Sequence, residues 1–508
     1  MKVTLISLDH ELYCIGIRIL SACLRKAGHE TQIVFMVPRA DARKNKFASR
    51  YSGDLLSGLC ELVKDSDLIG CSLMSNQFPQ AIQVTEYLRS HGMRIPIVWG
   101  GVQPTVEPDE CIKHADAICL GEGEEALVDL LNRMKSGLPY YDTLNMWFNT
   151  PEGVVRNRLR PLITDLDRVP PPDFSCSGHF LAVNNRLVEL TAQRFREFQG
   201  ERFRGDGGSV PYMLMTSRGC PSSCTYCANA VYKALYPGER LLRWRGESKI
   251  VEELKAFQRT VAPISYVYVV DDNFTARPKQ KLQAFCELYA KEIGIPFYAQ
   301  VSPLTINEAK MEILFKSGCS HITMGVETAN SRMAAMYNRT KEHARLRSAL
   351  DLVEKYRHAM DLPPTYQFII DNPYETLDEI LETLRLAVSF PQPWHHPIYS
   401  LMLFPGTPLY QRALEHGIIK DKHAQIYTRD WRSQSLPFFQ FWIELYHRNV
   451  PAFILKLLLT PRVAKFLCGH AATAIWRTKP FRRFSQNSLL AGAVAPNLAD
   501  FLQTVFFS

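Results

Sequence analysis

The sequence predicts an α/β protein in three parts: a doubly wound parallel sheet, a partial barrel of β/α units, and a mainly helical C-terminal region. Three observations carry this. Short apolar, β-branched runs alternate with runs of helical period over about residues 1–150 and again over about 211–415. A proline-rich stretch over about 151–210 separates the two series as a linker. One cysteine triplet, Cys220, Cys224 and Cys227, follows the first apolar run of the second series.

Composition sets the outer limits. A chain of 508 residues, 46% hydrophobic and 22% charged, is an ordinary globular protein with more than one domain. A net charge of +8 is modest for this length and does not call for nucleic acid. The apolar run at Met1–Leu8 ends at Asp9, too short for a signal sequence, and no run reaches membrane-spanning length. The 13 cysteines are scattered apart from the triplet, so reduced thiols and a cytoplasmic location are expected.

In the first series, strands are expected at Val3–Leu8, Thr31–Val37, Leu68–Met74, Ile95–Trp99 and Ala115–Leu120, and a helix at Ile15–Lys26 stopped by Gly28. Alternating β and α makes a parallel sheet, and ligands on such sheets bind beyond the carboxyl ends of the strands. Three loops lie there: Ser75-Asn76-Gln77, Gly100-Gly101-Val102-Gln103-Pro104-Thr105, and Gly121-Glu122-Gly123-Glu124. Their glycines let backbone approach a large flat ligand, though paired glycines after a strand are also plain turns. Neither the G-x-G-x-x-G dinucleotide pattern nor the phosphate-loop pattern is present. The linker carries Pro170-Pro171-Pro172, which continues neither a helix nor a central strand, and reads as a stiff extended connector.

The second series opens with Tyr212–Met215 and the loop Gly219–Cys227. Three thiolates at C-x3-C-x2-C spacing can hold three irons of a [4Fe–4S] cluster and leave the fourth open to an outside ligand. A zinc site or unrelated thiols are the alternatives, although structural zinc takes four protein ligands and no fourth is near in sequence. Further strands are expected at Ile264–Val270, Ile295–Val301, His321–Val326, Tyr366–Ile370 and Ile398–Phe404, with helices such as Ser248–Gln258 and Leu377–Val388 between them. The carboxyl ends of such strands share one cavity with the cysteine loop. Asp271-Asp272, Gln300 and Glu327 stand at three of those ends, where carboxylates bind ammonium or hydroxyl groups or merely cap helices.

The triplet with an aromatic, Tyr226, before its last cysteine resembles the radical S-adenosylmethionine superfamily. With the GGVQPT and GEGE loops, the chain over about residues 1–415 resembles its cobalamin-binding branch. That resemblance implies a Rossmann-like cobalamin domain and a (β/α)6 barrel. It implies a cluster on Cys220, Cys224 and Cys227, and S-adenosylmethionine near Tyr226, Asp271, Asp272, Gln300 and Glu327. Cobalamin would meet Ser75–Gln77, Gly100–Gln103 and Gly121–Gly123. The D-x-H-x-x-G pattern is missing, which implies no histidine on cobalt. Where relatives carry a glycine-rich G-x-P-G-E-T, this chain has Asp371-Asn372-Pro373-Tyr374-Glu375-Thr376, so Tyr374 is a candidate substrate contact.

The implied chemistry begins with reductive cleavage of S-adenosylmethionine and removal of a substrate hydrogen by a deoxyadenosyl radical. Methylcobalamin then delivers a methyl group. Cyclisation or rearrangement on the same cofactors, a radical enzyme without cobalamin, and a non-catalytic sensor are the rival readings. Expected partners are a small-molecule substrate and an electron donor such as flavodoxin or ferredoxin, with no nucleic acid. From Phe438 onward the chain is apolar and basic, through Phe453–Leu459 to Arg477, Lys479, Arg482 and Arg483. Such a tail packs on its own domain or lies peripherally on an anionic membrane, the latter suiting an apolar or lipid-like substrate.

Overall fold

The structure, a computed structural model, describes residues 1–37, 50–203, 208–395, 398–429, 439, 442–443, 445–446 and 450–467. Arg477, Lys479, Arg482, Arg483 and Phe438 lie outside the described residues. The first sheet contains β1 (Lys2–Ser7), β2 (Glu30–Phe35), β3 (Leu68–Ser72), β4 (Ile97–Gly100), β5 (Ala117–Cys119), β6 (Met146–Thr150), β7 (Gly153–Arg156), β8 (Phe180–Val183) and β9 (Arg186–Glu189). Its order is β7-β6-β5-β4-β3-β1-β2-β8-β9. The central β2-β1-β3-β4-β5 run is parallel. Strand order reverses between β1 and β3, and the crevice beyond the carboxyl ends there is where doubly wound sheets bind ligands. Val3, Leu5, Ile6, Ile33, Val34, Leu68 and Ile69 are fully buried, as strands covered by helices on both faces require.

The stretch expected to be a connector adds structure to this sheet. It supplies β7, the β8–β9 hairpin and a helix, Ala192–Phe203. Asn184 and Asn185, both at positive φ, make the two-residue hairpin turn that favours Asn. Pro170–Pro172 stay outside regular structure.

The second sheet contains β10 (Val210–Leu214), β13 (Ile264–Val269), β14 (Phe297–Val301), β15 (Cys319–Glu327), β16 (Thr365–Ile370) and β17 (Ile398–Ser400), all parallel and in that order. The helices Glu247–Thr260, Lys279–Glu292, Glu308–Lys316, Thr340–Lys355 and Leu377–Ala387 alternate with them, giving a six-stranded half-barrel. A two-stranded ribbon, β11 (Ser217–Arg218) with β12 (Arg243–Trp244), brackets the cysteine loop. Described helices follow at Pro408–Glu415, Ala452–Leu458 and Pro461–Leu467.

The strand ends of the two sheets meet. Gly406, at φ +74°, lies so close to the carbonyl of Val106 that a Cβ would come within 2.6 Å of it, so only glycine admits this approach. Glu107 takes a hydrogen bond from Gln103 at 3.0 Å and an ion pair from Lys422 at 2.6 Å, and the Tyr427 hydroxyl donates to it as well. These bonds fasten the segment after the half-barrel to the first domain.

Candidate functional site

The cysteine loop leaves β11 and runs into the helix Ala228–Leu235. All three thiols are free, with Cys224 buried and Cys220 and Cys227 half-buried. Burial pushes the Cys220 thiol up to about 11 and raises Cys227 as well, so their thiolates need a positive partner. The loop is held from three directions. Lys233 donates to the carbonyls of Pro221 and Ser222 at 2.6 and 2.9 Å. Asn338 donates to Ser223 O at 3.0 Å, and the Ser222 hydroxyl donates to Glu342 at 2.8 Å. Thr225 is bonded through its own N–H to Tyr337 O and through its carbonyl to the N–H of Leu409.

Donors already point at two sulfurs. Arg339 Nη1 lies 3.5 Å from Cys224 Sγ, and Asn229 Nδ2 lies 3.7 Å from Cys227 Sγ. Among the described residues no three His, Cys, Asp or Glu side chains converge on one metal ion. A cluster asks for less convergence than one ion does, since each cysteine binds its own iron.

The two adjacent aspartates at the end of β13 part company. Asp271, 1% exposed, accepts from the N–H groups of Thr216 and Ser217 at 2.6 and 3.0 Å and from both hydroxyls. It locks the path of the chain into β11. Asp272 stands one residue on, past the end of the strand, and is solvent-accessible. Desolvation raises its pKa while a hydrogen bond from Asn229 opposes the rise. Its charge acts on both Cys220 and Cys227.

Glu327, at φ +64°, ends β15 and folds back over Gly325, where a Cβ would meet its carboxylate oxygen at 2.4 Å. Burial raises its pKa, and Arg339 and the Tyr226 hydroxyl counter that rise. Arg339 also donates to Gly325 O at 2.9 Å. Tyr226, Glu327, Arg339 and Cys224 therefore form one connected group. Gln300 is half-buried at the end of β14. Tyr374 packs beneath Arg412, whose guanidinium carbon lies 5.1 Å from its ring centre, with its hydroxyl buried and without a partner among the described residues.

In the first domain Ser75–Gln77 form a single 3-10 turn, and Gln77 accepts from Met74 N at 2.8 Å. The Thr105 hydroxyl donates to Gly101 O at 2.8 Å and accepts from Gly121 N at 3.0 Å, joining the loops after β4 and β5. A Cβ at Gly100 would meet nothing nearer than 3.9 Å, so protein packing does not demand glycine there and the space beyond is open. Val102 begins the short helix Val102–Val106, and Gln103 is fully buried, its amide turned to Glu107. Glu122 and Glu124 face the second domain and pair with Arg218 at 2.8 and 2.5 Å. The helix Ala228–Leu235 runs between the two sets of loops with no fully buried residue, and its Tyr232 reaches Thr105. The open space at Gly100 and the donors on the thiols fit a flat ligand on the first sheet and a cluster on the cysteine loop.

Sequence reading did not single out Arg218, Asn229, Arg339 or Lys233. Arg218 had a signal, its place two residues before Cys220. Arg339 had none, because it lies 115 residues from Cys224.

Residues 1–131 match the model of the B12 binding domain, and residues 214–387 match that of the Radical SAM superfamily. The chain is 24% identical over 382 residues to the uncharacterized methyltransferase PH0819 of Pyrococcus horikoshii, covering 73% of this chain and 75% of that one. It is 22% identical over 404 residues to the anaerobic magnesium-protoporphyrin IX monomethyl ester cyclase of Rubrivivax gelatinosus, covering 77% and 64%. The fold is similar to that of OxsB, a cobalamin-dependent S-adenosylmethionine radical enzyme, with a TM-score of 0.65, 17% identity, and 99% of this chain and 75% of that chain covered.

Proposed function

We propose that this chain, a radical SAM protein with an N-terminal B12 binding domain, is an enzyme that methylates an unactivated carbon or phosphorus centre of a small molecule. The observation that carries the reading is that the cysteine loop faces the loops after β4 and β5, Arg218 pairing with Glu122 and Glu124 and Tyr232 reaching Thr105. When bound, the three cofactors supply one-electron reduction, radical initiation and methyl carriage. The chain's own residues hold and orient them. Cys220, Cys224 and Cys227 hold the cluster, with Arg339 and Asn229 donating to two of the sulfurs. Asp272, Glu327, Tyr226 and Gln300 take the ammonium and ribose hydroxyl groups of S-adenosylmethionine. Asp271 acts beneath them by fixing β11. Ser75–Gln77, Gly100–Gln103 and Gly121–Gly123 hold the corrin.

Ring closure is the second reading, favoured by the likeness to a cyclase. Tyr374, in the loop that departs from the glycine-rich pattern, is a substrate contact in either case. The chain draws electrons from a flavodoxin or ferredoxin. It works in the cytoplasm, with peripheral membrane contact through its last described helices. Those helices expose Phe453, Leu457 and Phe466 beside Lys456, Arg462 and Lys465. Among the described residues no helix is long and apolar enough to cross a membrane.

Anaerobic reconstitution tests the reading. It expects about four irons per chain, one cobalamin, and deoxyadenosine on reduction with S-adenosylmethionine. Product mass then separates methylation from ring closure. A chain that binds a cluster but no cobalamin would sink the proposal.

A further inference from the structure

A charge-balanced quartet sits between the two cofactor loops. Arg218 donates through Nη1 to Glu122 at 2.8 Å and through Nη2 to Glu124 at 2.5 Å. Arg243 lies 3.0 Å from the same Glu122 oxygen, donates to its other oxygen at 3.1 Å, and donates to Ile163 O at 2.7 Å. Glu122 also accepts from the N–H of Ile163 at 2.8 Å. The four side chains are only 6–17% exposed. Glu122 lies in the loop after β5 and Glu124 opens the helix that follows it, at the ligand end of the first sheet. Arg218 is two residues before Cys220 and pairs across the β11–β12 ribbon with Arg243. One arginine thus grips the corrin-side loop while it holds the entry to the cysteine loop.

We infer that Arg218 is a positioning residue that couples the two cofactor sites, so that filling either one tightens the other. The inference rests on the reading above. A buried quartet is favourable only when all four charges are in register, and displacing one member leaves others buried and uncompensated. Arginine is suited to the place because its planar fork reaches two carboxylates at once, whereas lysine presents a single point charge. A cofactor that orders either loop sets half of the quartet and lowers the entropy lost when the second loop is ordered. By linkage the effect is reciprocal: the factor by which a cluster tightens cobalamin is the factor by which cobalamin stabilises the cluster loop.

The test is equilibrium binding of hydroxocobalamin to full-length protein with and without its reconstituted cluster, for the parent and for Arg218→Lys. The parent is expected to bind about tenfold more tightly with the cluster present, within the usual range of such couplings. Arg218→Lys is expected to fold, keep its cluster and bind cobalamin, but with a ratio near one. Glu124→Gln, which removes one of the two carboxylates, is expected to give a reduced ratio and guards against misfolding of the first variant. A merely structural role would lower melting temperature and leave the ratio unchanged. A parent ratio of one, or a full ratio in Arg218→Lys, overturns the coupling alone. Failure of the parent to bind cobalamin at all overturns the functional reading and the coupling with it.

Discussion

Asp271 and Asp272 are chemically identical neighbours that take opposite duties in the proposed function. Replacing Asp271 by Ala removes a carboxylate that satisfies two buried N–H groups and two hydroxyls. Each buried N–H left without a partner costs about 1–3 kcal/mol. The hydroxyls can turn elsewhere, but Arg277, 3.9 Å away and 3% exposed, loses its counter-charge. The sum is about 3–5 kcal/mol, in line with breaking a buried charge interaction. At about 2–4 °C per kcal/mol for a domain of this size, melting should fall by on the order of 10 °C. Asp272→Asn disturbs no such lattice. Its effect on melting should be within about 0.5 kcal/mol, while affinity for S-adenosylmethionine falls. The assay pairs thermal unfolding of the cofactor-free chains with S-adenosylmethionine binding to the reconstituted ones. An Asp271→Ala protein that melts with the parent, or an Asp272→Asn protein that binds S-adenosylmethionine normally, would refute the assignment.

Changing Cys220, Cys224 or Cys227 to Ala should abolish bound iron, whereas Cys286→Ala or Cys319→Ala, both buried in packing, should keep it; iron and sulfide assays on the purified proteins decide. A bulky residue at Gly100 should block cobalamin and spare the cluster, because the space beyond it is open in the protein alone; unchanged cobalamin stoichiometry would remove that loop from the site. The Glu375 carboxyl is pushed up to about 8 by burial, and then by Glu379, with Arg332 opposing. The native chain therefore holds this proton over about pH 4.3–8 while the unfolded chain releases it, so stability falls as pH rises through that window. Glu375→Gln should gain stability over the parent near pH 8 and lose that advantage below about pH 4; parallel melting curves that keep one offset at both pH values count against it. If the tail lies on membranes, the chain should co-sediment with anionic vesicles at low salt and be released by high salt, since the attraction of Lys456, Arg462 and Lys465 is screened; protein left in the supernatant at low salt means a packed helical cap.

The parallel runs of the two sheets were legible because strands buried on both faces write continuous apolar runs. The helix at Ile15–Lys26 falls where its period and Gly28 put it. The edge hairpins were not read, because β7, β8 and β9 are four-residue strands with half-exposed faces and too short for a period to register. Asn184-Asn185 between Leu181 and Val188 was nonetheless a usable turn signal. At the site the same physics divides what could be read from what could not. Ligands to one cluster must converge, so a short loop supplies them and their spacing shows in the chain. The acidic pair after β13 also shows, but which of the two enters the buried hydrogen-bond lattice does not, because the strand stops at Val269 and its alternation no longer applies. Charge compensation obeys no such rule. A guanidinium acts through space, and any element ending near the cavity can supply it. Arg339 comes from the turn between two helices after β15, and Arg218 answers glutamates of another domain. The residues that complete this site electrostatically are therefore the ones that sequence spacing does not reveal.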